Sequence, residues 1–137
     1  MPLTDKEKAE SIFVWHKIKI GIQLSSKKRD IYFYKKDIWW ASLGANIDHE
    51  EDGKNKRFER RVLILKKFNT HLILIVPLSS KIKNDKFYYY KFATNDKFVS
   101  AMICQLRLIS SKRLIRKMGE ISNFDFEKIR QRIRNLI

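Results

Sequence analysis

The apolar residues of this chain change period twice along its length, and the changes divide it. Ile12, Trp15, Ile18 and Ile22 recur at near-helical spacing. Thr4 and Glu7 form a T-x-x-E start in which a hydroxyl and a carboxylate satisfy orphan amides at a helix N-terminus. Together they predict a helix over Thr4–Leu24. From Ile18 onward, however, the residues alternate as IKIGIQL with Gly21 inside, a pattern that equally suits a strand. SSKKRD, residues 25–30, is polar and basic and reads as a linker. Residues 1–30 are therefore expected to be an N-terminal helical extension, and residues 31–137 the main domain.

Beyond the linker the pattern is that of short strands. KDIWWASLG (36–44) is aromatic and apolar and stops at Gly44. RVLILKKF (61–68) and HLILIVPL (71–78) are two apolar runs joined at Asn69-Thr70, which is hairpin spacing. KFYYYKF (86–92), FVSAMICQL (98–106) and RLIS (107–110) continue the series with polar breaks between them. Near the end, Ser122 or Asn123 caps a helix whose Phe126, Ile129, Ile133 and Leu136 form one apolar face, with Lys128, Arg130, Arg132 and Arg134 outside. The expected fold is mainly β with flanking helices, a small barrel rather than a parallel sheet.

Composition sharpens this picture. A chain of 137 residues with 44% hydrophobic content is one domain with a real core. Thirty Lys+Arg against 15 Asp+Glu leave +15, a field that attracts polyanions: RNA, DNA, an anionic membrane or an acidic protein. Cys104 is the lone cysteine, so no internal disulfide can form. The charged start MPLTDKEKAE does not read as a signal peptide and no apolar run approaches spanning length, so the cytosol is the expected compartment.

The charged stretch DHEEDGKNKRFERR, residues 48–61, comes close to a calcium loop, with Asp48, Glu50, Asp52, Gly53 and Glu59 at the right offsets. Its surroundings argue against that reading. A calcium loop is flanked by amphipathic helices and carries an apolar eighth residue, whereas this one lies between strand-like runs, has Asn55 at that position, and carries Lys54, Lys56 and Arg57, which repel a dication. His16, His49, His71 and Cys104 make no zinc-ligand spacing. No metal or other cofactor is expected.

Four ordered blocks resemble the PemK/MazF toxins of bacterial toxin-antitoxin systems: DIWWASLGANIDHEEDGK, FERRVLILKKFN, VPLSSK and CQLRLISSKRL. They match that family's strand ending in L-G, its G-H-E-Q-x-G loop, R-P-V-L-V, P-[LI]-T-S, and Q-[IV]-R-x-[IL]-[DS]-x-x-R-L. The resemblance runs from about Lys36 to the C-terminal helix. It implies an SH3-like barrel that forms a homodimer, is bound by a cognate antitoxin, and cuts single-stranded RNA without metal. In that chemistry the RNA's own 2′-hydroxyl attacks, leaving a 2′,3′-cyclic phosphate and a 5′-hydroxyl.

Carried over by position, the resemblance puts the catalytic arginine on Arg60 and the active-site hydroxyl on Ser79, where the family has threonine. It puts His49, Glu50 and Glu51 at positions that line the RNA groove, with His49 or Glu50 as the candidate proton acceptor. Glu51, Lys54, Lys56, Lys81, Gln105 and Arg107 make up the expected RNA-binding set. Physically the choice is sound: a guanidinium offers a rigid two-pronged donor to the oxygens of a phosphorane-like transition state, and a hydroxyl can hold a further oxygen in line.

Each assignment has a plainer rival. Arg60 could be an ion-paired charge at a strand start, Ser79 and Ser80 turn residues, and Tyr88, Tyr89 and Tyr90 a half-buried strand rather than base-stacking platforms. Trp39 and Trp40 are assigned to the core or to a dimer face. Three departures separate the chain from the family pattern: Glu51 for glutamine, Arg61 for the proline after the catalytic arginine, and the extra residues NKRFE. Two other functions suit the same barrel, a non-enzymatic gyrase-inhibiting toxin and a basic RNA-binding module that has lost the chemistry.

Overall fold

The computed structural model describes residues 3–25, 31–44, 58–81, 87–94 and 97–137. It opens with the helix α1 (Asp5–Gln23), capped by the Thr4 hydroxyl, which accepts from the Glu7 amide at 3.2 Å. The helix continues through Ile18 and Gly21, so the alternating stretch is helical and not a strand. Three-residue and four-residue spacing still governs the second half, and Ile18 and Ile22 are half-buried.

Seven strands follow among the described residues: β1 (Asp37–Ser42), β2 (Glu59–Lys67), β3 (Leu72–Ser79), β4 (Tyr89–Thr94), β5 (Lys97–Met102), β6 (Arg107–Ser110) and β7 (Leu114–Glu120). The helix α2 (Asn123–Leu136) closes the chain, with the Ser122 hydroxyl accepting from the Asp125 amide. The sheet runs β4-β5-β3-β2-β1-β7, with β6 also paired to β3. Every strand pairing among the described residues is antiparallel. The outer edge of β3 is shared, its first half with β6 and its end with β5, and there the sheet curls.

Curling buries both faces. Val62 and Ile64 enter one apolar cluster with Trp39, Ala41, Ile73, Ile75 and Leu114, while Leu63 enters another with Ile38, Val76, Leu78, Phe92, Phe126 and Ile129. That two-sided burial is why RVLIL and LILIV read as unbroken apolar runs. Val62, Leu63 and Ile64 are fully buried, and each contributes about 1.5–3 kcal/mol relative to exposure.

Three sequence expectations need correction. KFYYYKF is not one strand: Phe87 and Tyr88 lie in a turn, and β4 begins at Tyr89. FVSAMICQL breaks at Met102 into a short 3-10 turn, Ile103–Gln105. A further strand, β7, was not expected, because LIRKMGE has little apolar alternation. It lies at the end of the strand order beside β1, and only Leu114 of its residues is buried. The Asn69-Thr70 hairpin is present, its turn held by the Asn69 side chain accepting from the His71 and Leu72 amides at 2.7 and 2.9 Å.

Candidate active site

Strand register decides which polar residues meet. In the β2–β3 ladder Val62 faces Pro77, Leu63 faces Val76 and Ile64 faces Ile75. Continued by two residues, this register sets Arg60 opposite Ser79, and directly opposed residues share a face of the sheet. Arg60 Nη1 donates to the carbonyl of Leu78, next to Ser79, at 3.1 Å. Ser79 is in turn the partner of Ser100 on β5, which is completely buried. A guanidinium and two hydroxyl-bearing residues thus lie along one row across β2, β3 and β5.

Both principal candidates are well covered: Arg60 is 6% exposed and Ser79 5%. The Ser79 hydroxyl accepts from the amide of Lys81 at 3.1 Å, as in a turn, while its residue still belongs to β3. The two readings of Ser79 are therefore compatible. Lys81 itself is exposed. Arg107 faces Ile75 across the β3–β6 ladder and so projects from Arg60's side of the sheet; Gln105 sits in the 3-10 turn before it, and both are half-buried. His49, Glu50, Glu51, Lys54 and Lys56 lie outside the described residues, as does most of the calcium-like stretch. Among the described residues, no three His, Cys, Asp or Glu side chains cluster in a way that could hold a metal ion.

The neighbouring arginine points the other way. Arg61 shares the face of Leu63 and borders a cavity of about 390 Å³ with Leu78, Thr94, Met118 and Ser122. Its guanidinium lies 5.8 Å from the Trp40 ring, and that of Arg116 lies 5.0 Å from the same ring. Burial pushes the Arg61 pKa down. Arg116 also approaches Glu59 at 3.7 Å, so Glu59, the last residue of the calcium-like pattern, is a nearly buried ion-pair partner. Trp39 is a core residue; Trp40 is half-buried between the two arginines.

Arg113 is a candidate that sequence reasoning passed over, although it stands in CQLRLISSKRL. Its Nη1 donates to the carbonyls of Ser42 at 3.1 Å and Leu43 at 3.4 Å, and its guanidinium lies 5.6 Å from the ring of Trp15. Burial first, and then the charge of Arg107, hold its pKa below the usual arginine value. Ser100 was missed as well; the only cue was a small polar residue within an apolar run. The ends of the β1–β2 connection meet beside Arg113: the Phe58 carbonyl accepts from the amides of Leu43 and Gly44 at 3.0 and 3.2 Å. Gly44 and Phe58 both have left-handed backbones, with φ of 82° and 58°. Glycine does so freely, whereas a bulky phenylalanine there costs about 1–2 kcal/mol.

The tyrosines divide. Tyr90 is half-buried and donates to Asp125 at 2.7 Å, tying β4 to α2, whereas Tyr88 is exposed. Tyr90 is thus mainly structural.

Comparison with known proteins agrees with this architecture. A MazF from Deinococcus radiodurans superposes with a TM-score of 0.63 at 16% identity, covering 78% of this chain and 97% of that one. An endoribonuclease solved in complex with its cognate antitoxin, from a mycobacterial species, superposes with a TM-score of 0.57 at 12% identity, covering 76% and 93%. At such identities the likeness speaks for the fold. No curated protein matches the chain in sequence. The family model of the PemK-like, MazF-like toxins matches residues 34–137, which leaves α1 outside it and takes in every strand, the Arg60–Ser79 row and α2. The chain belongs to the PemK-like, MazF-like toxins of type II toxin-antitoxin systems.

Proposed function

We propose that the chain is a metal-independent endoribonuclease that cuts single-stranded RNA through the 2′-hydroxyl of the substrate, leaving a 2′,3′-cyclic phosphate and a 5′-hydroxyl. The observation that carries this reading is the β2–β3 register, which, continued two residues past Val62–Pro77, brings Arg60 across from Ser79, together with the Arg60 bond to the Leu78 carbonyl at 3.1 Å. Arg60 neutralises the charge that gathers on the non-bridging oxygens of the transition state, and Ser79 donates to one of them. His49 or Glu50 takes the 2′-hydroxyl proton as that oxygen bonds to phosphorus, the P–O5′ bond breaks, and the departing 5′-oxygen takes a proton from solvent. Because Arg60 and Ser79 are only 6% and 5% exposed, RNA must uncover them before it reacts. The net charge of +15 draws the strand in, and Lys81, Gln105 and Arg107 belong with Glu51, Lys54 and Lys56 to the surface that holds it. The active form is a homodimer, and a cognate antitoxin with an acidic segment that folds on binding silences it.

The test is incubation of purified protein with mixed RNA in EDTA, followed by analysis of the new ends. The reading expects cyclic-phosphate and 5′-hydroxyl termini, lost by ~100–1,000-fold in Arg60→Ala, the size of effect seen when one transition-state donor is removed. Uncut RNA, or cleavage that Arg60→Ala leaves intact, overturns it. The low exposure of both residues favours a second reading, a basic RNA-binding module without chemistry. Salt-sensitive RNA binding with no cleavage selects that reading.

A further inference from the structure

Beyond the shared domain, we infer that α1 belongs to the working site: Trp15 is a positioning residue that locks the neck of the β1–β2 connection and, through it, Arg60. This rests on the cleavage reading above. Trp15 is the one residue of α1 that is buried, at 5% exposure, and it lies against the neck. Its ring is 5.7 Å from that of Phe58. A Cβ built on Gly44 would fall 1.9 Å from the Trp15 Cε2, so the indole rests directly on the backbone there. The Arg113 guanidinium, which also holds the carbonyls of Ser42 and Leu43, lies 5.6 Å from the same ring. Both ends of the connection are therefore fastened to one another by two backbone hydrogen bonds and covered by a single ring.

The consequence reaches Arg60 through two residues of chain. A left-handed Phe58 persists only where its surroundings hold it, and the Trp15 ring packs on its side chain. Released from that contact, Phe58 can turn, and the start of β2 turns with it. The remainder of α1 does not behave as a core element: Ile12, Phe13, Val14 and Ile20 stay 46–66% exposed. A second tether, Lys112 Nζ to the carbonyl of Gln23 at 3.1 Å, ties the far end of the helix to the turn that carries Arg113. Among the described residues, the attachment of α1 is thus concentrated at the neck and at the Lys112 tether.

The experiment compares full-length wild type, Trp15→Ala and Trp15→Phe by RNA cleavage and by residue-resolved amide exchange. Trp15→Ala is expected to lower kcat by ~10–100-fold with KM little changed, as misplacement of a catalytic group does. Trp15→Phe restores most of the rate. In Trp15→Ala the amides of Leu43 and Gly44, which donate to Phe58, exchange faster, while those of Leu63 and Val76 in the core keep their protection. Unchanged exchange at Leu43 and Gly44 overturns the clamp whatever the cleavage assay gives. Faster exchange with an unchanged kcat overturns the positioning role. If wild type leaves RNA intact, the cleavage reading and the positioning of Arg60 for it both fall, and the exchange data alone then decide whether the neck is clamped.

Discussion

α1 and α2 begin alike and end differently. Each starts with a hydroxyl N-cap, Thr4 in one and Ser122 in the other, and each carries an acid in its first turn. Yet α2, with 14 residues, buries Phe126 and Ile129 in a core shared with β2, β3 and β5, whereas α1, with 19, buries Trp15 alone. The start signals are alike, so the difference lies in the apolar face each helix presents and in what that face packs against. α2 is part of the core; α1 is held among the described residues chiefly by one buried ring and the Lys112–Gln23 tether, and that ring bears on the neck beside Arg60.

Substitutions that act on one helix and spare the other test this contrast, and the largest effect should come from α2. Phe126→Ala should cost about 3–5 kcal/mol in urea unfolding, against less than about 0.5 kcal/mol for Phe13→Ala on the exposed side of α1. A similar cost for the two would erase the contrast.

Next comes the neck. Gly44→Ala combines a left-handed φ with a clash against the indole, and should cost about 2 kcal/mol or more while displacing α1, visible as a change in tryptophan fluorescence. Combined with Trp15→Ala, the same change should cost less than the sum of the two, because the clash disappears and only the backbone term remains. Strict additivity would separate Gly44 from α1.

A smaller effect belongs to the β4–α2 tie. Burial, and then the hydrogen bond to Asp125, push the Tyr90 pKa up to about 12 from 10.0. A pKa raised on folding means that the protonated phenol is favoured in the native state. Its contribution is complete below about pH 10 and fades as pH climbs toward about 12. Tyr90→Phe should cost about 1 kcal/mol at neutral pH and flatten the alkaline loss of stability. Smallest are the caps. Ser122→Ala should lower global stability by about 1 kcal/mol, whereas Thr4→Ala should reduce helicity and leave the unfolding midpoint of the body nearly unchanged.

Much of the body was readable in advance because its signals are local. Apolar runs marked β1, β2 and β3, Asn69-Thr70 marked their hairpin, and Ser122 with Phe126, Ile129 and Ile133 marked α2. β7 escaped because Ile115, Arg116, Lys117 and Met118 are not buried; what makes this segment a strand is the neighbouring β1. IKIGIQL was ambiguous because its apolar residues alternate around Gly21, which lowers helix propensity, and the rest of the helix overrode both.

For the candidate site, the family blocks pointed to Arg60 and Ser79, and residue types added only that a guanidinium and a hydroxyl suit the chemistry. What could not be read was their setting. The facing of Arg60 and Ser79 depends on register between strands, the opposite orientation of Arg61 depends on alternation from that register, and the roles of Arg113 and Ser100 depend on what other elements bring to them. Trp15 is the extreme case. Its sequence predicts a residue on a helix's apolar face, whereas its contacts are with Gly44, Phe58 and Arg113, all far along the chain. Periodicity, capping and charge act over a few residues, and so the chain by itself determined most of its elements, its basic character and its chemically capable side chains. Burial, register and the left-handed neck are properties of segments brought together from a distance, and only the folded molecule decided them.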